Sequence, residues 1–103
     1  MKFERTAQFD ADLSRLSQDE FQLFKRIARD VFSPAADRHA AKPSSPWPAS
    51  LRIKRVQGAR GIVEMTWSFA GPDGRATFEL ITVHGELRVR WRRIGAHKIF
   101  RRP

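Results

Sequence analysis

The hydrophobic period of this chain changes once, near Ser50, from the three- and four-residue spacing of a helix to the strict alternation of a strand. A stripe with the first period needs a partner layer, and so does a face with the second. The arrangement that satisfies both is α+β, with helices segregated to one face of a sheet. At 103 residues the chain has room for one core and reads as a single domain over 1–103.

In the helical half, residues 2–8 alternate weakly and read as an edge strand. Asp10 can cap a short helix that carries Leu13 and Leu16 on one side. Ser17-Gln18-Asp19-Glu20 is a capping box, and Leu16 ahead of it can pack on Phe21 as a hydrophobic staple. From there Phe21, Phe24, Ile27, Ala28, Val31 and Phe32 form a broad apolar stripe. Ser33-Pro34 predicts the end of this helix, because proline disfavours helical geometry in the residue before it. The Pro-, Ala- and Ser-rich stretch that follows reads as a long loop to Ser50, with Trp47 plugging the core.

In the strand half, Leu51 to Val56 alternates, and Gly58-Ala59-Arg60-Gly61 turns. Val63, Met65, Trp67 and Phe69 then oppose Glu64, Thr66 and Ser68. Gly71-Pro72-Asp73-Gly74 makes a second turn, Arg75 to Val83 a strand, His84-Gly85 a tight hairpin, and Glu86 to Ile94 a last strand. Consecutive hairpins predict an antiparallel sheet.

The charge sits on that sheet. Residues 1–49 hold 8 basic and 7 acidic side chains, whereas residues 50–103 hold 12 and 4, so nearly all of the net +9 belongs to the second half. Alternation puts Arg52 and Lys54 on one strand face, and Arg88, Arg90 and Arg92 on one face of the last strand, a surface suited to phosphates. The plainer reading of the same cations is a solvated sheet face. His97, alone, is more often a surface residue than a catalyst. Beside Arg92, Arg93 and Lys98 it would have a bound phosphate within reach of its imidazole.

Other chemistries find no support in the sequence. With no cysteine there is neither a disulfide framework nor thiol chemistry. The three histidines are far apart and the carboxylates unclustered, so no metal is expected. Neither a phosphate-cradling glycine loop nor a nucleophile elbow is present. No stretch matches the roughly 20 apolar residues of a membrane span, and Met1-Lys2-Phe3-Glu4-Arg5 lacks an apolar signal core, so a cytoplasmic location is expected.

The element order, together with Leu51-Arg52-Ile53-Lys54-Arg55, Gly61-Ile62-Val63-Glu64-Met65, Gly74-Arg75-Ala76-Thr77-Phe78 and Arg93-Ile94-Gly95-Ala96-His97-Lys98-Ile99-Phe100, resembles the RelE/ParE superfamily of bacterial toxins, most closely its RelE and HigB-like branch. The resemblance spans nearly the whole chain and rests on the order of short motifs. It implies an N-terminal strand and two helices on one face of a twisted antiparallel sheet. It also implies the toxin of a type II toxin–antitoxin system, an mRNA interferase that enters the ribosomal A site and cuts by attack of a ribose 2′-hydroxyl on the neighbouring phosphate. No cofactor or metal is implied; the implied partners are the ribosome, mRNA and a cognate acidic antitoxin.

Carried over by position, Lys54 resembles the family's strand lysine, Arg75 the arginine that opens the following strand, and His97 the residue after the terminal-strand glycine. With Arg92 these are the candidate catalytic residues. Arg52, Arg55, Arg60, Arg88, Arg90, Arg93, Lys98 and Phe100 are the candidates for RNA binding. Phe100 stands where many members carry tyrosine, a departure, since phenylalanine stacks on a base but exchanges no proton. Two alternatives share the resemblance: a ParE-like DNA gyrase inhibitor, and a non-catalytic module that binds nucleic acid or protein.

Overall fold

The computed structural model describes residues 1–68, 73–95 and 103. β1 (Lys2–Arg5) leads into α1 (Ala7–Leu13) and α2 (Gln18–Ile27), and a π-helical turn over Ala28–Phe32 joins α2 to α3 (Ser33–Ala41). A 3₁₀ turn at Ala49–Leu51 precedes β2 (Lys54–Arg55), β3 (Val63–Ser68), β4 (Asp73–Val83) and β5 (Glu86–Gly95). The strands form one sheet in the order β1-β5-β4-β3-β2. The α+β class is therefore as expected.

The sheet is mixed rather than antiparallel. β2 to β5 pair antiparallel through hairpins, but β1 lies parallel to β5, Phe3 opposite Val89. No hairpin joins these two strands, so no turn dictates their relative direction; the helical layer carries the chain away from β1 instead. Between β4 and β5 the predicted turn is tight, with His84 and Gly85 at φ of 51° and 75°, the left-handed pair that matches strand twist.

Ser17 caps α2 as the sequence predicts. Its hydroxyl accepts from the Glu20 N–H at 3.1 Å, and the Glu20 carboxylate accepts from the Ser17 N–H at 2.8 Å. Replacing Ser17 by Ala should cost about 1 kcal/mol in chemical denaturation, the usual worth of such a cap. The predicted stop at Pro34 does not occur, and the expected loop begins only after Ala41. Immediately before the proline, the chain widens into the π-turn, where the Ser33 N–H reaches the carbonyl of Ala28, five residues back. Widening of this kind relieves the clash a proline ring otherwise makes with the preceding turn.

Helices and sheet meet through aromatic rings. Phe24 packs against Trp67 and Trp91 with centroids 5.4 and 5.5 Å away, and Phe32 against Trp91 and Phe78 at 4.8 and 5.1 Å. Trp47 does plug the core, stacked 5.6 Å from Phe32 at an interplanar angle of 7°. Trp67 and Trp91 thus lie on the helical side, which fixes the register of both strands. Among the described residues no helix is long and apolar enough to cross a membrane.

Candidate functional site

Arg88, Arg90 and Arg92 project from β5 on the face opposite Val89 and Trp91, but not as a bare cationic row. Glu4 of β1 and Glu79 of β4 both stand in register with Arg90. The Glu4 carboxylate accepts from Arg88 and Arg90, each at 3.3 Å; Glu79 accepts from Arg90 at 3.1 Å and Arg92 at 3.4 Å. These bonds, to Glu4 first and Glu79 second, hold the Arg90 pKa above its ordinary value. The like-charge repulsion along β5 is offset across strands, so this row fastens β1, β5 and β4 together as well as carrying charge.

Farther along β5 a bulge interrupts the ladder: Phe78 faces Trp91 and Thr77 faces Arg93, leaving Arg92 as the extra residue. Arg92 remains with Glu79 and also donates to the Pro103 carbonyl at 3.1 Å. Arg93 instead donates to Asp12 of α1, from Nε at 2.6 Å and from Nη2 at 3.2 Å, while the Ile94 N–H donates to the same carboxylate at 3.1 Å. Burial pushes the Asp12 carboxyl up, but the Arg93 hydrogen bond, the Ile94 N–H, the Arg93 charge and Gln8 outweigh it and hold the group below the usual carboxylate range. The Arg93 guanidinium is therefore engaged in a helix–sheet clasp.

At the other end of the sheet lies an open groove of about 540 Å³, lined by Lys54, Arg55, Val56, Gln57, Glu64 and Arg75. Register builds it. Lys54 stands opposite Glu64, and Arg75 opposite Thr66, so adjacent strands deliver two cations and a carboxylate to one patch. Glu64 is 1% exposed. Its Oε1 lies 3.3 Å from Lys54 Nζ, a charge contact whose angles do not make a hydrogen bond, and this buried oxygen accepts none. A buried carboxylate beneath a cation, without a full set of donors, is costly to keep.

Glu64 is the residue that sequence reasoning passed over as one polar position on a strand face. Its signal was a lone carboxylate between Val63 and Met65, in the half of the chain that holds only 4 acidic residues. Of the expected site residues, the structure brings Lys54, Arg55 and Arg75 together, with Arg92 on the same side of the sheet. Arg52 is a correction. The predicted strand from Leu51 to Val56 is reduced to Lys54–Arg55, and Arg52 takes a left-handed conformation (φ 45°) closing the 3₁₀ turn, so alternation does not align it with Lys54. Arg60 is exposed in the turn between β2 and β3. His97, Lys98 and Phe100 lie outside the described residues.

The sequence matches no protein-family model and no curated protein. Among the described residues, no three His, Cys, Asp or Glu side chains gather into a metal-ligating group. What the groove offers is cationic charge for a phosphate and one carboxylate able to take a proton.

Proposed function

We propose that the chain is a RelE-like toxin that cuts mRNA on the ribosome by internal 2′-hydroxyl attack, acts in the cytoplasm and is held in check by an acidic antitoxin. The observation that carries this reading is the buried Glu64 carboxylate beneath Lys54 and beside Arg75, in a groove open to solvent. In the reaction, the ribose 2′-oxygen forms a bond to phosphorus as its proton passes to Glu64. The 5′-oxygen of the next nucleotide departs with a proton from His97, leaving a 2′,3′-cyclic phosphate. Lys54, Arg75 and Arg92 stabilise the charge that builds on the phosphoryl oxygens. A donor other than tyrosine suffices, so Phe100 is free to stack on a base.

Inducing the chain in a bacterium and mapping RNA ends tests this proposal. Breaks within translated regions are expected, and His97→Ala should remove them while ribosome binding persists. Inhibited supercoiling with intact RNA would instead point to gyrase.

Binding should also weaken with salt, each phosphate contact adding about 0.7 to the slope for single-stranded RNA. Replacing Lys54 and Arg55 together by Ala should lower that slope by roughly 1.4. Replacing Arg88, which is shared between Glu4 and Glu86, should change it less. Filter binding across a salt series gives both numbers.

A further inference from the structure

We infer that the Thr77 hydroxyl and the Arg92 Nε–H together form a site for one phosphate oxygen, a site that the carbonyl of Pro103 fills in this structure. The inference rests on reading the Glu64 groove as the place where RNA is cut, and it adds the donor pair that receives the phosphate there.

Thr77 sits on β4 between Ala76 and Phe78, whose side chains pack inward, so alternation turns its own side chain to the face away from the helices. It is 0% exposed. A hydroxyl buried to this degree needs a partner, and it donates to the Pro103 carbonyl at 2.9 Å. Arg92 Nε donates to the same oxygen at 3.1 Å. Two donors from neighbouring strands thus converge on a single acceptor. The bulge of β5 aims the second of them. Arg92 is the extra residue there, and Glu79 accepts from its Nη1 at 3.4 Å, which leaves the Nε edge directed at Pro103.

Register places the pair beside the groove. Lys54, Glu64, Thr77 and Arg93 are paired in one row across β2, β3, β4 and β5. Residues directly opposite in an antiparallel pair share a face, with Cα atoms about 4.5 to 5.5 Å apart, so Thr77 is one strand's step from Glu64. A ribose 2′-oxygen at Glu64 and an oxygen of the adjoining 3′-phosphate at Thr77 therefore fit one nucleotide. A pocket of about 210 Å³, lined by Thr6, Gln8, Arg92, Arg93 and Pro103, opens beside them and gives space to the sugar that follows the phosphate.

The chemistry of the pair selects an anion. Both groups present donors to the shared oxygen, an arrangement that refuses a cation. As the 2′-oxygen bonds to phosphorus, negative charge grows on the phosphoryl oxygens, and donors already held in place stabilise it without rearranging. The carboxylates of this face have cations of their own, Lys54 for Glu64 and Arg90 for Glu79. Pro103 keeps the two donors paired until a phosphate takes its place, so the chain masks its own phosphate site.

The probe is a deoxyadenosine dinucleotide, which carries one phosphate and no 2′-hydroxyl and is therefore bound without being cut. Titrated into the full chain labelled with ¹³C at the proline carbonyls, it should saturate and shift the Pro103 signal with the same midpoint. Thr77→Val should weaken binding about tenfold or more, the worth of one hydrogen bond to a charged group, and Thr77→Ser should bind as wild type does. On ribosomes, cleavage by Thr77→Val should fall about 10²-fold and cleavage by Thr77→Ser should hold. If valine disturbs the circular dichroism, Arg92→Gln gives the same test from the second donor, whose side chain is 36% exposed. Undiminished binding without the Thr77 hydroxyl would overturn the inference, as would saturation that leaves the Pro103 signal in place. Cleavage by Thr77→Val at or above the wild-type rate would also overturn it and make Thr77 only a fastening for Pro103. Dinucleotide binding that depends on Thr77, found together with mRNA left intact by the wild type, would support the site and fault the cleavage reading instead.

Discussion

Glu64→Gln should lower the rate of mRNA cleavage by about 10²- to 10⁴-fold while leaving the fold as stable as before. The two halves of this expectation come from the same geometry. Glutamine keeps the shape of the side chain but takes no proton at neutral pH, so the loss should fall on the rate of the chemical step and not on affinity. Stability should hold because Glu64 Oε1 receives no hydrogen bond and its charge partner, Lys54, is 72% exposed and returns to water without penalty. Replacing a buried carboxylate that lacks a full set of donors by a neutral amide of the same shape removes a desolvated charge, which costs little and is sometimes favourable. Single-turnover cleavage and urea unfolding of the same protein measure both halves. A variant that unfolds markedly more easily and cuts normally would make Glu64 a structural residue.

The largest stability effect is expected at Asp12. Its carboxylate is 4% exposed and accepts two bonds from Arg93 and one from the Ile94 N–H, so truncation removes the helix–sheet clasp and leaves the buried Ile94 donor at the bulge of β5 without its acceptor. Breaking a pair buried to this degree costs about 3 kcal/mol or more, a large part of the total for a small domain. Asp12→Asn should lose less, since the amide oxygen still accepts. The pH dependence has a definite sign. The folded pKa lies below the ordinary value of 3.8, so the contribution is fully present above that value and is lost as pH falls through the lower folded pKa. The stability gap between wild type and Asp12→Asn should therefore narrow in acid below about pH 4 and stay constant toward neutrality. A gap that widened in acid would contradict the assignment.

Two of the local signals proved readable and one did not, since Thr6 and not Asp10 caps α1. The capping box at Ser17 needs four residues, and the His84-Gly85 turn needs two; both are formed as read. The inward faces of β3 and β5 followed from alternation alone, with Trp67 and Trp91 under the helices. Misreadings arose where one element answers to another. Pro34 is a stop signal for a regular α-helix, but the π-turn before it changes the geometry the rule assumes. β1 could be placed as an edge strand, yet its parallel direction depends on β5, more than 80 positions on.

The site divides the same way. Lys54 and Arg75 were legible as cations near strand starts. That Arg93 would turn to Asp12, or that Arg90 would be shared by Glu4 and Glu79, depends on pairing across the sheet. Glu64 was visible as a residue and invisible as a buried one, because β3 alternation assigns it a face without saying what closes over that face. Leu51 to Val56 shows the converse error: an alternating pattern outlasted the strand, and the buried Leu51 belongs to a turn.

In the proposed reaction the ribose 2′-hydroxyl is the nucleophile, and the chemistry of the cut end reports on that step. Wild-type chain incubated with translating ribosomes should leave mRNA fragments with a 2′,3′-cyclic phosphate or its hydrolysed phosphate at the 3′ end and a free 5′-hydroxyl. Fragments with 3′-hydroxyl and 5′-phosphate ends, or mRNA left intact by the folded chain, would contradict the account.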